Sequence, residues 1–504
     1  MNDSDNKLIY KNTIIVYARM IIVTIVGIVS ARFVLQALGA SDFGLYNVVG
    51  GLIAMLTFVS TAMSTTTRRY INVEMGKNDG NLNKVFNISL LIHAGLALLI
   101  LLLAETIGVW YISNVLNVAS GKEEDAMFVF QISSIVACIG LINIPYQSLL
   151  EAYEHFSDAA IIDVVTTLIK FGLILVMLVY TGNQLRFYAI CICVVTVCSF
   201  VLYHYVCYKR WSSVIRLKLY KKSSLYKEIL VFNNYTAMGA LATIGKSQGG
   251  NLLINYFFGT IVNGAFAIAQ QIDSYVYMFV SRLTIASNPQ IAKNYSGGSR
   301  ERSNMLMERN SRYSVLIMVI FYFVLVVDID FILEKWLGTV PEGASLLCIL
   351  TLTDMLVRSF NEGTNGFIQA SGKIKWFQIL SSVTLLVNLP VVYVLFKLGF
   401  DAYWLIACYV FTSVVYRIGS LLQMKSILNF DIITFVRNAY SRPCLIILIL
   451  TPVVVLLNQS CFDSFLFHIM KIFIVVVVSS MLVWMIGLEK EEHNMLLSLL
   501  LKRK

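Results

Sequence analysis

Four basic side chains, Arg19, Lys170, Lys246 and Arg358, stand deep inside long apolar runs of this sequence. In hydrocarbon a charge costs about 2.5–3.5 kcal/mol on insertion scales, so each needs a physical reason to be there. At a helical rise of about 1.5 Å per residue, each lies about nine to fifteen residues from the nearest end of its run, too far for the side chain to reach headgroups. Such cations face a protein interior or a wet cavity, where they pair with a carboxylate or attract an anionic ligand. Arg32 and Arg282 lie nearer the ends of their runs and complete a candidate anion-binding set of six. Arg417 is similarly placed, and Lys471 is expected to snorkel.

Carboxylates in the same runs supply the competing explanation. Asp354, Arg358 and Glu362 are spaced by four and share one helix face, where they can neutralise one another. Asp163 precedes Lys170 by two turns and is its natural partner. Lys246 has no acidic neighbour in its own run, which makes it the sharpest candidate for binding. Its setting, Gly245-Lys246-Ser247-Gln248-Gly249-Gly250-Asn251, is small and polar where a lipid-facing helix carries Leu and Val, and Gly245 with Gly249 forms a close-packing step. A phosphate-binding loop requires glycine at position 240, which is Ala240, and a preceding strand, so that reading fails. Asp273, Asp354 and Glu362 form a small acidic set suited to a proton or a monovalent cation. No histidine belongs to a zinc motif and no nucleophile sits in a catalytic motif, so no enzyme and no cofactor are expected. Eight of the nine cysteines fall in apolar stretches, which speaks for packing rather than a disulfide framework.

The elements that must hold these residues are membrane helices. With 58% hydrophobic and 13% charged residues and a mean hydropathy of +0.75, the chain has too little polar surface for a soluble fold. Apolar runs long enough to span a bilayer lie near 10–37, 45–65, 86–110, 127–150, 158–180 and 187–208, then 229–257, 263–288, 313–335, 344–369, 376–396 and 402–424, and finally 443–460 and 466–487. With the amino terminus inside, alternate connections hold 27 Lys and Arg on the inner side against 4 on the outer (Lys122, Arg186, Lys335 and Lys397), so both termini are expected in the cytoplasm. The net charge of +10 is thereby a topological feature, and no nucleic-acid-binding module accompanies it.

An internal repeat divides the runs. Gly39-Ala-Ser-Asp-Phe-Gly44 joins the first two, and Gly259-Thr-Ile-Val-Asn-Gly264 joins the seventh and eighth with the same glycine spacing. Basic connections with Gly76 and Gly297 follow. The expected organisation is all-α, with about 14 transmembrane helices: a six-helix lobe over 1–226, a second over 227–424, and two further helices with a cytoplasmic tail over 425–504.

The chain resembles the polysaccharide-transport, O-antigen-flippase-like branch of the multidrug/oligosaccharidyl-lipid/polysaccharide exporter superfamily. Carrying the resemblance are Leu38-Gly39-Ala-Ser-Asp-Phe-Gly44-Leu-Tyr-Asn-Val-Val-Gly50-Gly51, Arg68-Arg69 with Gly76-Lys77, Pro145-Tyr146 with Glu154 and Lys170, Asn288-Pro289-Gln290, and Gly372-Lys373-Ile374-Lys375. It implies two six-helix lobes forming a V, as in the multidrug (MATE) exporters, in a bacterial inner membrane. It also implies movement of an undecaprenyl-diphosphate-linked oligosaccharide to the periplasmic leaflet, coupled to a proton or sodium gradient and working beside other polysaccharide-assembly proteins. Basic cavity residues would attract the diphosphate. A multidrug antiporter with a carboxylate-dominated cavity and, more remotely, a membrane-embedded glycan polymerase are the alternatives.

Overall fold

The computed structural model describes the backbone of residues 3–57, 59–75, 79–153, 155–221, 223–296, 299–459, 464–490 and 492–493, with side chains except at 3–17, 61, 234–243, 282–289, 292–293 and 296. Gly76, Lys77, Glu154 and Gly297 lie outside the described residues, as do the side chains of Arg282, Asn288 and Pro289.

Among the described residues every regular element is helical, as expected where no water is at hand to satisfy backbone groups and each helix must close its own hydrogen bonds. In chain order the helices are α1 (Asp3–Leu56), α2 (Val59–Met75), α3 (Leu82–Asn114, with a π turn), α4 (Glu123–Ala152), α5 (Phe156–Val179), α6 (Gln184–Ile215) and α7 (Leu225–Ser296). They continue with α8 (Arg300–Val326), the short α9 (Ile329–Leu337), α10 (Ala344–Ala370), α11 (Lys375–Lys397), α12 (Trp404–Leu428), α13 (Ile432–Asn458) and α14 (Phe465–Gly487). Among the described residues twelve helices are long and apolar enough to cross a membrane, against the fourteen expected; α1 and α7 each break at a glycine and hold parts of two expected runs, while the run 45–65 continues into α2 and 313–335 into α9.

The breaks fall at the repeat glycines. α1 leaves helical geometry at Gly39 (φ 70°, ψ 170°) and α7 at Gly259 (φ 78°, ψ −170°). Only glycine enters that region without a Cβ penalty, so the chain can change direction there without a loop. The second glycine of each motif serves packing. A Cβ on Gly44 would lie 1.8 Å from the Thr260 carbonyl oxygen, and one on Gly264 would lie 2.5 Å from that of Ala40. The two contacts exchange under the 220-residue offset, so the repeat is visible as a reciprocal backbone approach, joined by Ser41 Oγ and Thr260 Oγ1 at 2.9 Å.

Residues 1–264 with 336–341 form one compact unit, and 265–335 with 342–504 form another. The first holds α1 to α6 and the opening part of α7, with a core of Ile71, Val85, Phe86, Leu149, Ile162 and Cys207. The segment 336–341 joins it where Trp336 Nε1 donates to the Ile28 carbonyl at 2.8 Å. In the second unit Val315, Val319 and Phe323 of α8 share a core with Ile446 and Leu450 of α13 and Val475 of α14. Removing α13 and α14 would strip one face of α8. Leu98, Leu102 and Trp110 on α3 and Phe411, Ile418 and Leu422 on α12 are exposed, which is the apolar exterior a bilayer requires.

Candidate functional site

In the first unit, Arg19 of α1 pairs with Asp163 of α5, and the Tyr203 hydroxyl of α6 donates to the same carboxylate at 3.1 Å. Asp163 was the expected partner of Lys170, and the structure gives it to Arg19 instead. The reason is geometric: Asp163 and Lys170 lie two turns apart on one helix, whereas α1 packs along α5 and brings Arg19 directly across. Lys170 is half-buried near the middle of α5 and makes no hydrogen bond or ion pair among the described residues.

Lys246, the sharpest candidate in sequence, lies in the first unit. It is half-buried and already engaged in an interaction. The polar stretch around it packs on α1: Asn251 Nδ2 donates to the Asn47 carbonyl at 3.2 Å, and a Cβ on Gly51 would meet Gln248 Oε1 at 2.5 Å. Helix packing thus accounts for the small and polar residues there. Arg32 is half-buried and engaged, with its guanidinium close to Gly338. The Arg282 side chain lies outside the described residues.

A cavity of about 450 Å³ opens within the first unit, lined among others by Tyr46, Gly50, Ala54, Thr57, Ser133 and Gly140. That is the volume of an ordinary small-ligand pocket. Its wall is apolar and hydroxylic, with small residues of α1 and α4 leaving the space.

The second unit holds a charge cluster. Arg358 Nε lies 3.0 Å from Asp354 Oδ2 one turn earlier on α10, and Arg358 Nη2 pairs with Asp273 on α7. Ser413 Oγ on α12 donates to Asp354 at 2.6 Å, and Tyr277 on α7 hydrogen-bonds Glu362. The expected Asp354–Arg358 face is therefore present, while the fuller neutralisation comes from Asp273 across the helix interface. A void of about 10 Å³, room for about one water, is lined by Tyr277, Met318, Met355, Arg358, Ser359 and Glu362.

Three further cations are structural. Arg417 is buried against neutral partners, Asn361 Oδ1 at 3.1 Å, Thr364 Oγ1 at 3.3 Å and the Tyr440 hydroxyl. Lys471 does not snorkel: it is 7% exposed and its Nζ lies 3.0 Å from Asp328, which His468 Nδ1 also meets at 2.6 Å. Arg312, counted by sequence among the basic residues of a connection, is 1% exposed within α8. It donates to Glu489 Oε1 at 2.6 Å, to Glu492 Oε1 at 2.5 Å and to the Asn438 carbonyl at 3.3 Å. Asp328, just after α8, thus holds the start of α14, and Arg312 of α8 holds the segment that follows α14. Partners 140 to 180 residues distant leave no periodic signal in sequence; the hint was an arginine directly preceding an apolar run, with carboxylates just after the last run.

The helices build an all-α fold like that of solved MATE and MurJ membrane transporters. The MatE family model matches residues 249–394. Over 94% of this chain and 98% of the other, the structure is similar to that of the lipid II flippase MurJ in an inward closed conformation, with a TM-score of 0.69 and 14% identity. It is also similar to an inward-facing multidrug resistance MATE family transporter of the MOP superfamily (TM-score 0.64, 15% identity, 81% of this chain and 96% of that). A third match is a MOP superfamily transporter from Pyrococcus furiosus described as having a binding pocket of reverse polarity (TM-score 0.54, 16% identity, 84% and 97%). No curated protein matches the chain.

Proposed function

We propose that this chain is a flippase that moves an undecaprenyl-diphosphate-linked oligosaccharide from the cytoplasmic to the periplasmic leaflet of a bacterial inner membrane by alternating access. The observation that carries this reading is Lys170, a cation deep in α5 with no partner among the described residues. An uncompensated ammonium at that depth is costly unless water or an anionic ligand reaches it. Arg19 stands on the helix packed beside it, held by Asp163, and Lys246 and Arg32 belong to the same unit. A diphosphate supplies the counter-charge that Lys170 lacks among the described residues, and the similarity in fold to a lipid II flippase agrees with a cargo of that chemistry.

Energy enters through the acidic set of the second unit. Asp273, Asp354 and Glu362 face Arg358, leaving an excess of carboxylate charge that binding of a proton or a sodium ion would offset. The test is complementation of a strain that lacks its own polysaccharide flippase. Lys170→Ala abolishes surface polysaccharide at wild-type protein level, and Lys170→Arg restores it; full polysaccharide in Lys170→Ala overturns the assignment. Export of a cationic drug without glycan transport would favour the antiporter alternative.

A further inference from the structure

The connection between α6 and α7 carries seven Lys and Arg and no Asp or Glu over residues 209–227. They lie outside the cationic set proposed above, and they are not a loose tail. α6 departs from helical geometry at Trp211 (φ −138°, ψ 49°) and ends at Ile215. The chain beyond is stapled to α3 by two asparagines. Asn83 Nδ2 lies within 3.0 Å of the carbonyls of Ser213, Val214 and Arg216, and Asn87 Nδ2 donates to Arg216 O at 3.0 Å. In return Lys218 N donates to Asn87 Oδ1 at 3.1 Å and the Tyr220 hydroxyl to Asn83 Oδ1 at 3.0 Å.

The result is a strap held to α3 from residue 213 to residue 220. Alternation along extended chain puts residues 218 and 220 on one face, as the Lys218 ammonium 5.5 Å over the Tyr220 ring confirms, and residues 217, 219 and 221 on the other. Leu217 and Leu219 are 76% and 60% exposed. Lys209, Arg216, Lys218 and Lys221 are exposed and make no ion pair among the described residues, whereas Arg210 is held by Asp158 at 2.8 Å. Tyr205 and Tyr208, on the last turns of α6, are exposed beside the strap as interfacial aromatics.

We propose that residues 216–221 are a binding strap for anionic phospholipid headgroups, with Leu217 and Leu219 dipping into the acyl boundary and the flanking cations holding the phosphates. Exposed leucines distinguish this from a site for a soluble anion, which would leave them in water. Uncompensated cations next to apolar helix ends distinguish it from an ordinary solvated loop.

The experiment uses the full chain in nanodiscs of phosphatidylcholine and phosphatidylglycerol in equal parts, with one or the other lipid brominated. Quenching of Trp211 is taken as the difference between wild type and Trp211→Phe. Brominated phosphatidylglycerol quenches several-fold more than brominated phosphatidylcholine. That ratio falls by up to about fivefold for each cation removed, reaching parity in Arg216→Ser/Lys218→Ser/Lys221→Ser. The distant pair Lys373→Ser/Lys375→Ser leaves it unchanged and controls for folding. Asn83→Ala, which keeps every charge, also lowers it. Parity in wild type, or an undiminished ratio in the triple variant, overturns the proposal and assigns the cations to a soluble anion or to topology alone.

Discussion

Arg312→Met breaks the link between α8 and the segment after the last span. Arg312 is 1% exposed and Glu492 5%, so removing the guanidinium leaves the buried Glu492 carboxylate with Arg309, 3.5 Å away, as its remaining cation. Breaking a buried pair in this way costs about 3–5 kcal/mol. Glu489 is 35% exposed and stays solvated, so its share is about 0–1 kcal/mol. Replacing both charges, in Arg312→Met/Glu492→Leu, removes the stranded carboxylate. The double variant still loses the Glu492 Oε2 bond to the Glu489 amide, a capping contact worth about 1 kcal/mol, together with the Arg312 bonds to Glu489 and the Asn438 carbonyl and the Tyr313 bond to Glu492, but it strands no buried charge. The expected result is a severe single variant and a milder double one, with a coupling of about 2–4 kcal/mol. Equilibrium unfolding in mixed dodecyl sulfate micelles measures it. A single variant within about 1 kcal/mol of wild type, or additive effects in the double, would show that Arg312 is not a buried tie.

The same tie is sensitive to acid. Burial opposes the ionised form of Glu492, but the Tyr313 hydroxyl, the Glu489 amide and Arg312 outweigh it and hold its carboxyl below the usual range. A depressed carboxylate stabilises fully above its unfolded value, and that stability is lost as pH falls through the folded one. Protease cleavage after residue 487 should therefore accelerate on acidification in wild type and lose that pH dependence in Glu492→Gln. Gly44→Ala should destabilise by about 1–3 kcal/mol or more, since its Cβ meets the Thr260 carbonyl, whereas Gly172→Ala, with open space around it, should be neutral or stabilising by up to about 1 kcal/mol in the same unfolding assay. If Arg19 is primarily the partner of Asp163, Arg19→Gln/Asp163→Asn recovers polysaccharide that either single variant loses. A double variant as inactive as Arg19→Gln alone places the guanidinium on the cargo.

The helices were legible in sequence because lipid imposes one solution on the backbone, although run length did not separate the twelve spanning helices from the pieces into which the chain breaks them. The repeat was legible through Gly39, Gly44, Gly259 and Gly264, although spacing alone did not reveal that the first of each pair bends the chain and the second admits a neighbouring backbone. Partner choice among the charges was legible only within one helix, as for Asp354 and Arg358. Across helices it was not: Asp163 passed from Lys170 to Arg19, Asp273 came to Arg358 from α7, and Lys471 found Asp328 rather than headgroups. Those pairings depend on which helix faces pack together, and hydropathy carries no record of that when most faces are apolar.

The most direct test of the account is flipping of a polyprenyl-diphosphate-linked oligosaccharide by purified protein in vesicles, read by a lectin that reaches only the outer leaflet. The account predicts that wild-type protein brings the glycan to the lectin and that Lys170→Ala does not. Contradiction would be wild-type vesicles whose glycan stays hidden, or a Lys170→Ala variant that flips as fast as wild type.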